Sequence, residues 1–158
     1  MRQMPKSCRS KWIIVIFSIF ILISDQFSKF LIVEKMNIGD CFAVCPFFNI
    51  VRVENRGVSF GMLQNHFPPA IFMMFSIAVI LFLLIWVLKN KNYIFPIAMI
   101  ISGAIGNIID RIYYGAVIDF LDFYISKYHW PAFNIADTFI VIGTGVLFFI
   151  SYMEEKKV

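Results

Sequence analysis

Aspartates gather at the ends of apolar stretches in this chain, and two of them stand in the segments Val117-Ile118-Asp119-Phe120 and Phe133-Asn134-Ile135-Ala136-Asp137. A carboxylate beside a lipid-facing span is expensive, so carboxylates collected there point to chemistry. Two carboxyl groups held a few ångströms apart cannot both ionise cheaply, and the pair keeps a proton near neutral pH. The ionised member can then take a proton from water. The protonated member polarises a carbonyl by donating a hydrogen bond and later assists the leaving amine. That is the chemistry of an aspartic protease. Any two of Asp110, Asp119, Asp122 and Asp137 would serve if the fold brought them together. The same aspartates would be structural if they capped helices or paired with Arg111 and Lys127.

Other polar residues stand at helical spacing. Asp25 and Lys29 are i,i+4 with the acid on the N-terminal side, the favourable order for an ion pair that makes two interfacial charges tolerable. Asn107, Asp110 and Arg111 share one helical face, directly after the small residues Ser102, Gly103, Ala104 and Gly106, which let a neighbouring helix approach closely in lipid. Asn134 is placed to cap a helix whose first turn carries Asp137, and Gly143 and Gly145 further along suggest close packing again. Metal chemistry fits poorly, because the chain has only His66 and His129 and no His-Glu-x-x-His helix. Neither Ser59 nor Cys45 has a recognisable base to activate it as a nucleophile.

The elements that must position these residues follow from composition. With 158 residues, 60% hydrophobic and 18% aromatic, and a mean hydropathy of +0.80, the chain is an integral membrane protein rather than a soluble domain. Stretches of about 20 apolar residues span a bilayer. They fall at 12–33, 69–88, 94–111 and 135–153, within one membrane domain covering 1–158. The first begins like a signal peptide, but no small-residue cleavage site follows and the hydrophobicity resumes at Phe27, which predicts an uncleaved span. Basic residues dominate the N-terminal tail (Arg2, Lys6, Arg9, Lys11), the middle turn (Lys89, Lys91) and the C-terminal tail (Lys156, Lys157). The positive-inside rule therefore predicts cytoplasmic termini, with loops 34–68 and 112–134 outside. The net charge of +4 lies beside span ends, which suits anionic lipid head groups and not nucleic acid.

In the first outer loop, period-two alternation over 47–54 predicts a short strand, Asn55-Arg56-Gly57 a turn and Val58-Ser59-Phe60 a returning strand. The fold expected is α-helical, with four transmembrane helices and a small extramembrane β-sheet on the outer face. Cys41 and Cys45 share that loop, where an oxidising compartment permits a disulfide. The second span has only Ser76 as a polar side chain in its interior and reads as a packing element. A small proton-coupled transporter would also have four spans and membrane carboxylates, but would hold them near the bilayer midplane, whereas these lie at span ends.

Gly106-Asn107-Ile108-Ile109-Asp110-Arg111, then Gly115, Val117 to Phe120, and Pro131-Ala132-Phe133-Asn134-Ile135-Ala136-Asp137 resemble the signature blocks of lipoprotein signal peptidase, the bacterial type II signal peptidase. Asp25-Gln26-Phe27-Ser28-Lys29 and Asn55-Arg56-Gly57-Val58-Ser59-Phe60-Gly61 resemble that family's blocks at the end of the first span and in the outer loop. The blocks occur in order across nearly the whole chain. The resemblance implies a metal-free aspartyl endopeptidase, without cofactor, in the bacterial inner (cytoplasmic) membrane, with its active site at the outer face. Its implied catalytic pair is Asp119 and Asp137. The supporting residues it implies are Asp25, Lys29, Asn55, Gly57, Asn107, Arg111, Asn134 and Ala136, with Asp110 structural near Arg111 and Asp122 outside the catalytic set. The implied partners are diacylglyceryl-modified prolipoproteins, cut immediately before the lipidated cysteine, and membrane lipids; a monomer suffices.

Overall fold

A computed structural model describes residues 6–57 and 68–156, with side chains in the first helix described from residue 11. The elements are α1 (Lys6–Lys35), β1 (Cys41–Cys45), β2 (Phe48–Asn55), α2 (Pro69–Lys89), α3 (Ile94–Tyr114), β3 (Val117–Ile125), β4 (Tyr128–His129) and α4 (Ile135–Glu155). A single 3-10 turn, Lys91–Tyr93, joins α2 to α3. All four α-helices are long and apolar enough to cross a membrane. At 1.5 Å per residue, the 21 residues of α2, α3 and α4 match about 30 Å of hydrocarbon.

Their ends carry conventional stop and start signals. Pro68, extended at φ −65° and ψ 148°, precedes α2, and Pro69 occupies its first turn, where a missing N–H costs nothing. Gly115 closes α3 in the left-handed region at φ 70°, its N–H donating to Arg111 O. Only glycine adopts that conformation cheaply. α3 is the most buried span and packs against each of the other three helices. Apolar side chains all around α2, including Met74, Phe75, Phe82, Ile85 and Leu88, are left exposed to what would be lipid.

The strands form one antiparallel sheet in the order β1-β2-β3-β4. It sits where α1 and α3 end and α2 and α4 begin, because β1 and β2 follow α1 and β3 follows α3. The anticipated period-two segment is β2. Its inner partner, however, comes from the second loop: Asn49 lies opposite Asp122, Val53 opposite Asp119 and Asn55 opposite Val117. The anticipated returning strand at 58–60, with Ser59, lies outside the described residues, as do Gly61 and His66. Arg52 fastens the sheet to the helices, donating from Nη1 to Val33 O at 3.0 Å and Met36 O at 2.7 Å. These are among the carbonyls that the end of α1 leaves without helical partners.

The structure answers one question that the sequence leaves open and corrects one packing expectation, that for Gly145. Cys41 and Cys45 are free thiols. They stand at opposite ends of β1, about 13 Å apart at strand rise, beyond the reach of a disulfide. A Cβ on Gly143 would lie 2.8 Å from Pro96 O, so that glycine does permit close approach of α3 and α4, whereas Gly145 has nothing within 4 Å.

Candidate active site

The site is founded on a buried ion cluster. Lys29 Nζ lies 2.8 Å from Asp25 Oδ2 and 2.7 Å from Asp110 Oδ2, with all three side chains no more than 1% exposed. Two carboxylates facing one ammonium need further donors in an apolar setting. Gln26 Nε2 donates to Asp110 Oδ1 at 3.0 Å, and two backbone N–H groups do the rest. Ala136 N donates to Asp25 Oδ1 at 2.8 Å, and Ile118 N to Asp110 Oδ2 at 3.2 Å. Those two backbone groups belong to the start of α4 and the start of β3, so the cluster pins both elements by the residues adjoining Asp137 and Asp119. The approach requires Gly106, where a Cβ would stand 2.5 Å from Asp25 Oδ2. Asp110, expected beside Arg111, is thus the second carboxylate of Lys29.

Above the cluster, three asparagines arrange the two remaining aspartates. Asn134 caps α4, its Oδ1 accepting from Asp137 N at 2.9 Å, while its Nδ2 donates to Asp119 Oδ1 at 2.7 Å. Asn107 accepts from Lys29 Nζ at 2.9 Å and donates to Asp137 Oδ1 at 2.8 Å. Asn55, at the end of β2, accepts from Gly57 N at 3.0 Å and donates to Asp119 Oδ2 at 3.0 Å. Arg111 donates from Nη2 to Gly57 O at 2.9 Å, joining α3 to the turn beyond β2. Asp119 is 2% exposed. Burial first, and the Asp137 carboxylate second, push its carboxyl up to about 7, so a proton is retained in this corner near neutral pH.

Asp119 and Asp137 line one cavity of about 550 Å³ together with Asn55, Asn107 and Arg111. Its remaining wall is mostly apolar and runs along the spans, through Phe75 and Val79 of α2, Ile100 of α3 and Val141 of α4. α2 is therefore a cavity wall as well as a packing element, and Ser76 also faces the cavity. Asp25, Lys29, Asn134 and Ala136 do not line it; they lie buried beneath. Asp122 is elsewhere, accepting from Asn49 Nδ2 at 2.8 Å and contacting His129 Nδ1 at 2.9 Å. Among the described residues no three His, Cys, Asp or Glu side chains come together as a metal-holding group. Reading the sequence missed Gln26 as a member of the cluster. Its only signal was an uncharged polar side chain inside an apolar span.

A family model described as signal peptidase (SPase) II matches residues 17–153. The chain is 36% identical over 160 residues to the lipoprotein signal peptidase of Haemophilus ducreyi, covering 98% of each. It is 43% identical over 141 residues to that of Thermodesulfovibrio yellowstonii, covering 89% of this chain and 93% of the relative. Two solved structures, each of a bacterial membrane enzyme studied by the in meso method, superpose on it. One has a TM-score of 0.75 at 35% identity, covering 88% of this chain and 91% of its own. The other has a TM-score of 0.73 at 33% identity, covering 90% and 88%. A multi-pass helical protein with a small antiparallel sheet and a match over nearly its whole length, the chain belongs to the signal peptidase II family of aspartic peptidases.

Proposed function

We propose that this protein removes the signal peptide from diacylglyceryl-modified prolipoproteins, cutting immediately before the lipidated cysteine, with Asp119 and Asp137 as its catalytic pair. The observation that carries this reading is that Asn134 bonds Asp119 through its Nδ2 and the Asp137 backbone through its Oδ1, at the floor of one cavity with apolar walls. A retained proton between two carboxyls supplies an acid and a base at once. The ionised carboxylate takes a proton from a water as the water oxygen attacks the scissile carbonyl carbon. The protonated carboxyl donates to the carbonyl oxygen, giving a tetrahedral diol. Collapse breaks the C–N bond, with a proton delivered to the leaving amine of the cysteine.

The substrate makes the placement sensible. Acyl chains and the apolar signal segment stay in lipid while the scissile bond needs water, so the site belongs at the outer face of the inner membrane, with both termini in the cytoplasm. The apolar cavity wall of α2, α3 and α4 suits the lipid-embedded parts of such a substrate. Asp119 stands on β3, outside the spans, and Asp137 in the first turn of α4, far from the midplane position of a transporter's binding carboxylate. Nothing in the mechanism calls for more than a monomer or for a cofactor.

The test is cleavage of a diacylglyceryl-modified precursor in detergent. Asp119→Asn and Asp137→Asn should each lower kcat by about 10²–10⁴-fold or more, as expected on losing a general acid or base, while circular dichroism shows a folded protein. Ordinary turnover by either folded variant would remove that residue from the pair.

A further inference from the structure

The cavity is a cleft between two helices. α2 and α4 each pack along α3 and barely touch one another, so Ser76 of α2 and Thr138 of α4 stand on opposite walls, with Ile100 and Ala104 of α3 behind them. Both hydroxyls have already spent their proton. Ser76 Oγ donates to Phe72 O at 2.9 Å and Thr138 Oγ1 to Asn134 O at 2.9 Å, in each case the carbonyl four residues back. A hydroxyl has one proton and two lone pairs, so what each of these shows to the cleft is an acceptor. Ser102 and Thr144 make the same bond, to Ala98 O and Ile140 O, but do not line the cavity.

An unwound substrate needs such acceptors. A signal segment crosses lipid as a helix with its N–H groups bonded internally, but the stretch before the cut must be extended for water and a carboxyl to reach the scissile carbonyl. Each unwound residue loses the carbonyl four residues back, and its N–H enters a mostly apolar cleft where an orphan is costly. The other side chains lining the cavity offer it little. Asn107 Oδ1 is taken by Lys29 and Asn134, and Asn55 Oδ1 by Gly57 N–H. Arg111 and the Trp130 indole only donate, and Asp119 and Asp137 are engaged by the reaction. We infer that Ser76 and Thr138 bind the unwound end of the signal peptide, each accepting a hydrogen bond from one backbone N–H just upstream of the scissile bond. The inference rests on the function proposed above. Thr138 follows Asp137 and stands level with the reacting bond. Ser76 is deeper. At the far end of the bundle Glu154 of α4 accepts from Asn92 and Tyr93, in the turn after α2, which levels the two helices there. Counting back from that end at 1.5 Å per residue, Thr138 lies about 24 Å along α4 and Ser76 about 20 Å along α2. The difference of about 4 Å is close to one residue of extended chain. Neighbouring N–H groups of an extended chain point to opposite sides, as these two hydroxyls stand on opposite walls.

The experiment is a cycle between enzyme and substrate. A diacylglyceryl-modified precursor peptide is made with one backbone N–H replaced by an ester oxygen, at each of the three residues before the lipidated cysteine in turn. kcat/KM is then measured in detergent for the parent, Ser76→Ala and Thr138→Val. The parent should lose about 2–10-fold on two neighbouring ester peptides. One of those losses should vanish in Ser76→Ala and the other in Thr138→Val, while each variant loses a similar factor on the all-amide peptide. Thr138→Ser keeps the oxygen and should retain the parent's kcat/KM and its ester losses. A merely structural role for the hydroxyls would lower cleavage of every peptide by the same factor, and that result would overturn the proposal. So would variants that cleave the all-amide peptide as the parent does. Failure of the proposed function itself would look different: a precursor left uncut by the parent, or turnover retained by folded Asp119→Asn and Asp137→Asn.

Discussion

Lys29→Met removes the one cation from the ion cluster beneath the site, and the structure sets the expected size of the effect. Lys29 Nζ has three acceptors within 2.9 Å, the carboxylates of Asp25 and Asp110 and the amide oxygen of Asn107. At 1% exposure no water replaces it. Breaking a buried pair leaves an uncompensated charge and costs about 3–5 kcal/mol. Here two carboxylates are left, but they can relax by protonation, so the middle of that range is a fair expectation. For a chain of this size about 4 kcal/mol corresponds to a fall in Tm of roughly 8–16 °C. The loss should shrink as the pH is lowered, because neutral carboxyls do not need the cation. Adding Asp110→Asn removes one of the stranded charges and should restore part of the loss, giving a coupling energy of at least about 1.5 kcal/mol in a double-mutant cycle. The assay is thermal unfolding in detergent at pH 8 and pH 5 for the four proteins of the cycle. A single variant melting within about 2 °C of the parent, or a double variant no better than the single, would refute the claim that the cluster is a tightly paired foundation.

Two further outcomes are expected. Gly103→Ala would drive a Cβ into the backbone carbonyl of Ala136 and to 2.8 Å from Ile140 Cγ1, displacing the start of α4 that carries Asp137. It should cost about 1–3 kcal/mol and most of the precursor cleavage, whereas Gly145→Ala meets open space and should be neutral or gain up to about 1 kcal/mol from helix propensity; melting and cleavage of the two variants decide. The pH dependence of stability follows from Asp119, whose carboxyl is raised from 3.8 to about 7 by folding. A raised carboxyl means that the folded state binds more protons between those values, so its contribution is fully present below 3.8 and is lost as the pH climbs to about 7. Relative to Asp119→Asn, the parent should therefore lose about 2–3 kcal/mol between pH 5 and pH 8. A constant difference across that interval would show that Asp119 does not carry a raised carboxyl.

What the sequence made legible, and what it hid, has physical reasons. Four long apolar stretches dictate four spans, and the type and position of Asn134 dictate a capped α4 with Asp137 in its first turn. β3 was hidden because Val117, Ile118, Asp119 and Phe120 are buried in succession. A strand covered on both faces loses the alternation by which β2 was recognised. The structural role of Asp110 was legible, but its partner was not, because Lys29 lies far away in sequence on another helix. Gly143 and Gly145 looked equivalent, yet two residues on a helix are about 200° apart, so only one can face α3. The role of α2 was invisible because an apolar cavity wall and an apolar lipid-facing surface have the same composition.

The polar interior cannot be divided into a structural part and a chemical part. From Gln26 the hydrogen bonds run to Asp110, Lys29, Asn107 and Asn134, then to Asp119 and Asp137, and through Asn55 to Gly57 and Arg111. Apart from the buried Nε of Arg111, which has no hydrogen-bond partner among the described residues, the side-chain groups of this network are satisfied, as they must be where an orphaned group costs several kcal/mol. A single chain of satisfied groups therefore selects one arrangement of α1, α3, α4 and the sheet, and leaves little freedom for the two carboxyls at its centre. Asp119 is fixed from several directions: β3 is held by Asp110 through Ile118 N–H and by Phe133 O through the Phe120 and Leu121 N–H groups, while Asn55 and Asn134 grip the carboxyl itself. The catalytic role proposed for Asp119 and Asp137 would draw on that preorganisation. On the proposed function, the salt bridge of Asp25, Lys29 and Asp110 is a condition of the chemistry, although none of the three lines the cavity.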